Sequence, residues 1–223
     1  MPPRALEPAG VALVDKPSGP SSFAVVAQIR RVTGARTGHA GTLDPFATGL
    51  LLILSGRATK LTPSLVGLDK RYLTEIDLTC TTSTGDPEGE VLEHHAPPTR
   101  DELEEKLENL RGEIELPIPA ASAVKIGGQR AYKLARRGVD VEMPVRRSTV
   151  HELGVIGYTG DTVTLDVRVS SGTYIRSLAL ELGGHCVSLR RTEIGPFSVD
   201  DAVPPEAFAA ELLLPEVDVL ERV

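Results

Sequence analysis

Little in this chain could support a covalently stapled or membrane-held structure. Two cysteines among 223 residues, Cys80 and Cys186, do not make a disulfide framework or a zinc site. No apolar run approaches the ~20 residues that span a bilayer, and no cationic segment followed by an apolar one opens the chain as a secretory leader would. A cytoplasmic protein without a membrane partner is therefore expected. Internal repeats and low-complexity tracts are missing, and strand and helix patterns do not alternate as regular βαβ units. What remains is an apolar content of 41% with 25% charged residues, ordinary for a soluble chain. The length allows one large or two small domains with a real core.

The net charge of −7 argues against a polyanionic substrate until its distribution is considered. Residues 1–70 hold 8 Lys/Arg against 4 Asp/Glu, and residues 121–160 hold 7 against 3. The acidity is concentrated in residues 71–120, with 4 against 13, and in residues 201–223, with 1 against 6. Screening over ~8 Å at physiological salt lets a local basic face act despite an acidic total.

Val11 to Val14 reads as a short buried strand, followed by a turn at Asp15–Pro20. Ser21 or Ser22 then caps a helix to about Val32, with Phe23, Val26, Ile29 and Val32 spaced for one apolar face. Arg71 to Cys80 has strand character, and Thr81 to Gly89 is a polar turn. Thr99 and Glu102 form a capping box for an acidic helix to about Leu110, whose charge reads as a solvated face. Residues 117–147 are rich in Pro and Gly and carry Lys125, Arg130, Lys133, Arg136, Arg137, Arg146 and Arg147. Such a stretch is either a basic arm that closes on phosphates or an ordinary surface loop. Val163 to Val169 alternates as a half-buried strand, and a helix begins near Tyr174-Ile175-Arg176. This mixture predicts an α+β fold.

Residues 38–49 read Gly-His-Ala-Gly-Thr-Leu-Asp-Pro-Phe-Ala-Thr-Gly. Three glycines and a proline rule out a long helix or a central strand. The following Leu50-Leu51-Leu52-Ile53-Leu54 can bury itself and hold the loop rigid from one side. A carboxylate on an anchored loop is how a catalytic Asp is commonly presented, and an Asx-type turn is the simpler account of Asp44.

The whole segment around Asp44 resembles the catalytic motif of the TruB-type tRNA pseudouridine-55 synthases. Asp15-Lys16-Pro17-Ser18-Gly19-Pro20-Ser21-Ser22 resembles the amino-terminal motif of that family. Lys70-Arg71-Tyr72 resembles its tyrosine-bearing strand. Ser122-Ala123-Val124-Lys125, Gly128, Ala131-Tyr132 and Ala135-Arg136 resemble its mobile substrate-binding insertion. Gly172-Thr173-Tyr174-Ile175-Arg176, Leu189-Arg190-Arg191-Thr192 and Gly195-Pro196-Phe197 complete the set in the family's order. Departures include Ile118 and Ala121 where a proline and an aromatic are usual, and Val169 and Ser171 where Cys and Lys are common. The link from Tyr174 to Leu189 is also shorter.

The resemblance implies a pseudouridine synthase fold with a mixed, largely antiparallel central sheet flanked by helices and loops. It further implies a catalytic domain over residues 1–200, with 117–147 as the mobile basic insertion. Residues 201–223 are then a short acidic tail, too few for the PUA domain that many members carry. The implied reaction is isomerisation of the flipped-out T-loop uridine at tRNA position 55. Asp44 is the nucleophile in that account, Tyr72 stacks on the base and assists loss of the C5 proton, and Arg176 pairs with Asp44. Tyr174 and Leu189 line the pocket, and His39 supports the displaced RNA. Lys16, Lys125 and Arg136 hold substrate phosphates. The chemistry needs no cofactor, and neither His39 nor the pair His94-His95 has metal-ligand spacing, so no metal is expected. The partner is the tRNA T-arm, with no obligate protein partner. Two rivals stay open: a catalytically silent RNA-binding or RNA-folding protein, and a hydrolase that releases the free base.

Overall fold

Leu50 to Leu54, five consecutive apolar residues, are all inaccessible to solvent, and one half of the protein is arranged around them. The computed structural model describes residues 8–122, 124–131 and 142–223. In chain order the elements are β1 (Gly10–Lys16), α1 (Ser22–Thr33), β2 (Thr37–His39), β3 (Thr48–Ser55), α2 (Thr62–Gly67) and β4 (Lys70–Asp77). There follow β5 (Cys80–Thr82), β6 (Val91–His94), α3 (Arg100–Asn109), β7 (Gly112–Pro117), β8 (Lys125–Ile126) and β9 (Gln129–Arg130). The last elements are β10 (Val145–Tyr158), β11 (Thr162–Val169), α4 (Ile175–Glu181), β12 (His185–Ile194), β13 (Phe197–Ser198) and α5 (Glu216–Arg222). The chain divides into two compact units, Met1–Tyr72 with Leu189–Val223, and Leu73–Ser188. No described helix is long and apolar enough to cross a membrane.

In the first unit β3 pairs antiparallel with β1, from Gly10 opposite Ser55 to Lys16 opposite Gly49, and parallel with β12 at Arg190/Thr48 and Arg191/Gly49. Successive strand side chains point to opposite faces. Leu50, Leu52 and Leu54 therefore pack with Val11, Leu13, Leu65, Ile194, Phe197 and Val219. Leu51 and Ile53 pack on the other face with Ala12, Val14, Val25, Ile29 and Phe208. A strand buried on both faces reads as a continuous apolar run, which is why this one does not alternate. The acidic carboxy-terminal segment lies along β1, with Leu214 bridging Val11 and Val203 bridging Val14.

Helix α1 is capped by Ser21, whose Oγ accepts the Ala24 N–H, and ends at Gly34 in the left-handed region. Its buried stripe is Ser22, Val25, Val26, Ile29 and Thr33. The stripe expected from spacing is thus corrected: Val26 and Ile29 belong to it, whereas Phe23 is 74% and Val32 46% exposed. Ser22 takes the inward position because its hydroxyl has a buried partner, described below.

In the second unit β10 pairs with β11 through two register shifts, at Val150/Glu152 and Val155/Gly157, and with β7 on its other edge. Strand β11 alternates between half-buried and buried residues as its sequence predicts. The expected strand from Arg71 to Cys80 is broken after Asp77, whose carboxylate accepts the Thr79 N–H at 2.7 Å and the Thr79 hydroxyl at 2.6 Å. This local turn competes with the ladder and ends it. The capping box at Thr99 and Glu102 is formed as expected. The mixed, largely antiparallel sheet pairing with flanking helices is the α+β class implied by the sequence.

Candidate active site

The loop that carries Asp44 is held by its backbone. Ser22 Oγ accepts the Leu43 N–H at 2.9 Å and donates to the Leu43 carbonyl at 2.8 Å, so the first turn of α1 bolts down the residue before Asp44. Lys16 ends β1 with 0% exposure, and its Nζ donates to the carbonyls of Pro17 (2.8 Å), Pro45 (3.1 Å) and Ala47 (2.7 Å). Three acceptors for three ammonium hydrogens offset the desolvation of a buried cation. Arg191, 1% exposed, donates Nε to Leu50 O at 2.8 Å, Nη2 to Gly41 O at 3.1 Å and Nη1 to Thr42 O at 3.5 Å. Carbonyls 41, 42, 45 and 47 thus face two buried cations, and Asp44 sits between them in sequence.

An inaccessible ammonium with three carbonyl partners staples the loop, a structural part beside the phosphate contact that the family resemblance implies for Lys16. Arg191 is not singled out by the sequence. Its approach depends on Gly49 at φ +102°, where a Cβ would strike the Arg191 backbone. Arg190, next to it, makes a two-pronged pair with Asp15, Nη1–Oδ1 3.0 Å and Nη2–Oδ2 2.8 Å.

His39 ends β2 beside the loop. Its ring meets Phe23 edge-on, with centroids 5.4 Å apart and planes at 81°, and its Nδ1 is buried with no hydrogen-bond partner among the described residues. Burial first, and the Arg191 charge second, hold its pKa below 6.5, so the ring is neutral at physiological pH. Tyr72, 8% exposed, lies on β4, and Leu189, 6% exposed, on β12. These strands run antiparallel, since Thr192 Oγ1 donates to Arg71 O and the Gly195 N–H to Asp69 O. On the same face of β4 as Tyr72, Lys70 is 5% exposed and donates to the carbonyls of Val66 and Leu68. Its pKa is pulled down to about 8 by burial and then by Arg191, with Asp69 opposing.

The second unit holds Arg176 in the first turn of α4, 2% exposed. Its Nη1 lies 3.1 Å from Asp86 Oδ2 and donates to Thr84 O at 2.8 Å, and its Nη2 donates to Ala121 O at 3.1 Å. Asp86, 4% exposed, is oriented by the Thr84 hydroxyl at 2.6 Å and the Glu88 N–H at 3.0 Å, both on Oδ1. Gly85 at φ +70° lets this loop reach α4, because a Cβ there would crowd Arg176 at 3.2 Å. Tyr174 stands at the position just before α4 and lines a small pocket with Arg146, Ser148, Thr173 and Ser177. Arg136 and the side chain of Lys125 lie outside the described residues. Asp86 falls in what reads from sequence as a polar turn, and only its place three residues before the end of a Gly-rich loop hints at a fixed carboxylate.

A family model for the amino-terminal domain of TruB family pseudouridylate synthases matches residues 30–175. The chain belongs to this family. It is similar to the tRNA pseudouridine synthase B of Thermobifida fusca (strain YX), 46% identical over 219 residues, covering 91% of this chain and 75% of that one. It is also similar to the tRNA pseudouridine synthase B of Azoarcus sp. (strain BH72), 44% identical, covering 90% of this chain and 70% of that one. Among solved structures, a Cbf5-Nop10-Gar1 complex matches with a TM-score of 0.66 and 30% identity over 87% of this chain. This chain spans about half the length of that one, 51%. The α+β fold is that of a pseudouridine synthase.

Proposed function

We propose that this protein isomerises uridine to pseudouridine in tRNA, at the T-loop uridine of position 55, with Asp44 as the nucleophile. The observation that carries the reading is the loop of Asp44, clamped at carbonyls 41, 42, 45 and 47 by Arg191 and Lys16. Two buried cations that hold the backbone on both sides of Asp44 fix the loop that carries it, and a nucleophile that must attack and then leave again requires such a rigid mount. The isomerisation detaches the base from C1′, turns it and rejoins it through C5, so it consumes no redox agent and no ATP. Tyr72 is suited to stack on the detached uracil and to assist loss of the C5 proton. Arg176 is the cation assigned by the family resemblance to Asp44, and Asp86 fixes its guanidinium. Neutral His39 with exposed Phe23 offers an aromatic surface for displaced bases, a role that needs no charge. Residues 117–147 are proposed as the basic insertion that closes on the T-arm.

Product analysis on a T-arm transcript tests this directly. Rearranged uridine at the T-loop position is the expected product. Unchanged RNA would make the protein a silent binder, and abasic RNA would make it a hydrolase, for which a second carboxylate acid is normally required.

A further inference from the structure

The second unit brings together three metal-binding groups that the sequence keeps far apart. Asp77 ends β4, and the bonds from Thr79 to its Oδ1 fix its carboxylate. Cys80 begins β5 and is a free, buried thiol. His185 begins β12, 105 residues from Cys80, with its Nδ1 3.7 Å from Cys80 Sγ. Gly184, just before it, lies so close to Asp77 that a Cβ would strike the Asp77 carbonyl oxygen. Glycine at this position is what seats His185 beside the end of β4. The donor atoms of Asp77, Cys80 and His185 all lie within 4.8 Å of one another.

We propose that Asp77, Cys80 and His185 form a zinc-binding site, with His94 as the fourth ligand. His94, exposed, is the cross-strand partner of Cys80 in the β5–β6 pair; its ring stands outside the three-residue cluster and turns inward from the shared face to complete the tetrahedron. A thiolate, imidazoles and one carboxylate suit zinc and not magnesium or calcium, which take oxygen ligands. In a tetrahedral site with bonds of about 2.3 Å to sulfur and about 2.0 Å to nitrogen, those two atoms stand about 3.5 Å apart. The observed 3.7 Å is close to that separation. His185 Nδ1 also lies 3.2 Å from the Cys80 carbonyl, which can only accept, so without metal Nδ1 carries the hydrogen; coordination through Nδ1 breaks that bond and requires the tautomer protonated at Nε2. Without metal, burial and then Asp77 hold the Cys80 thiol protonated; zinc takes the thiolate and the thiol proton passes to solvent. The site ties β4, β5 and β12 together. Cys186, next to His185, donates its N–H to the Gly85 carbonyl, adjacent to Asp86, so the metal steadies the loop that holds Arg176. The proposal does not depend on the RNA reading.

The test uses the full chain, freed of metal by a chelator and titrated with cobalt(II) and then zinc(II). One equivalent of cobalt should bind with a thiolate-to-metal charge-transfer band and tetrahedral ligand-field bands, and zinc should abolish both. Cys80→Ser should lose the charge-transfer band, and His185→Gln should weaken binding by more than about tenfold, the lower end of what even a supporting group is worth to a metal site. Cys186→Ser should keep the band, and zinc should raise the Tm of the wild type but not of Cys80→Ser. A wild type without the band, or a band that survives in Cys80→Ser, overturns the proposal and leaves a hydrogen-bonded thiol–imidazole pair. Should Cys80→Ser fail to fold, loss of the band in folded Cys186→Ser overturns it equally.

Discussion

Arg176 Nη1 and Asp86 Oδ2 lie 3.1 Å apart, with side chains only 3% and 5% exposed. A buried pair of this kind adds little net stability, because desolvation of both charges offsets their attraction, but removing one partner leaves a charge stranded. The pair therefore fixes where a guanidinium points more than it stabilises the fold. Asp86 is itself held by Thr84 and Glu88, and its backbone carbonyl accepts from the Thr82 hydroxyl at 2.8 Å.

Asp86→Asn is expected to preserve the shape of this loop while removing the negative charge that the Arg176 guanidinium faces. Stability should fall by about 3–5 kcal/mol, the usual cost of breaking a buried pair, read as a lower urea midpoint. Single-turnover isomerisation should slow while the Kd for T-arm RNA stays within a few-fold. Wild-type turnover in the Asp86→Asn protein would confine the pair to a purely structural role.

Lys16→Met should act through the Asp44 loop. Three carbonyls lose their donor, and each buried group left unsatisfied costs about 1–3 kcal/mol unless water reaches it. Turnover should drop with stability, while the log–log salt slope of RNA binding stays unchanged. A phosphate ligand would instead take about 0.9 off the magnitude of that slope on a duplex, and such a loss would place Lys16 on the RNA-binding surface.

Local patterns are legible in the sequence, and long-range partnerships are not. The apolar run Leu50–Leu54, the capping box at Thr99 and the alternation of β11 each depend on residues a few positions apart, and each is present. Strand β10 escapes such a reading because two register shifts break its alternation, as bulges do. The stapling by Lys16 escapes it because the carbonyl partners Pro45 and Ala47 are 29 and 31 residues away. Asp86 stays inconspicuous since Arg176 lies far beyond it in sequence, and Arg191 since nothing local marks a buried arginine. Backbone acceptors also leave no side-chain signature to read.

His39 should titrate below 6.5, and the sign of its effect follows. Above pH 6.5 both folded and unfolded chains hold a neutral ring and the residue contributes nothing to pH dependence. As pH falls through 6.5 toward the lower folded value, the unfolded chain takes up the proton first, so stability is lost. The imidazole resonance of His39 in a proton NMR titration measures the midpoint. A midpoint at or above 6.5 would mean that the ring is charged by a partner and is not the neutral surface argued for above.

Asp44→Asn should reduce isomerisation to background while T-arm binding persists. The substitution keeps size and hydrogen bonding and removes only the nucleophilic charge. Filter binding and product analysis on the same preparation separate the two effects. Residual turnover near wild type would end the proposed mechanism.

Tyr72→Phe and Tyr72→Leu divide the two roles proposed for one ring. Phe keeps the stacking face and loses the hydroxyl, so KM should hold within a few-fold while kcat falls by about 10²–10⁴, the usual worth of a positioned proton-transfer group. Leu also removes the face, and base–aromatic stacking contributes about 1–3 kcal/mol, so binding should weaken as well. Tyr72 is 8% exposed on a strand whose neighbours Lys70 and Thr74 are buried, and both variants fit without new polar burial. Phe should therefore melt near wild type, whereas Leu, smaller than the ring it replaces at a buried position, leaves a cavity and should melt lower. Single-turnover rates at saturating T-arm RNA and the Kd for the same RNA decide between the roles. If the Tyr72→Phe variant turns over like the wild type, the tyrosine is only a platform for the base, and the C5 proton leaves by another route.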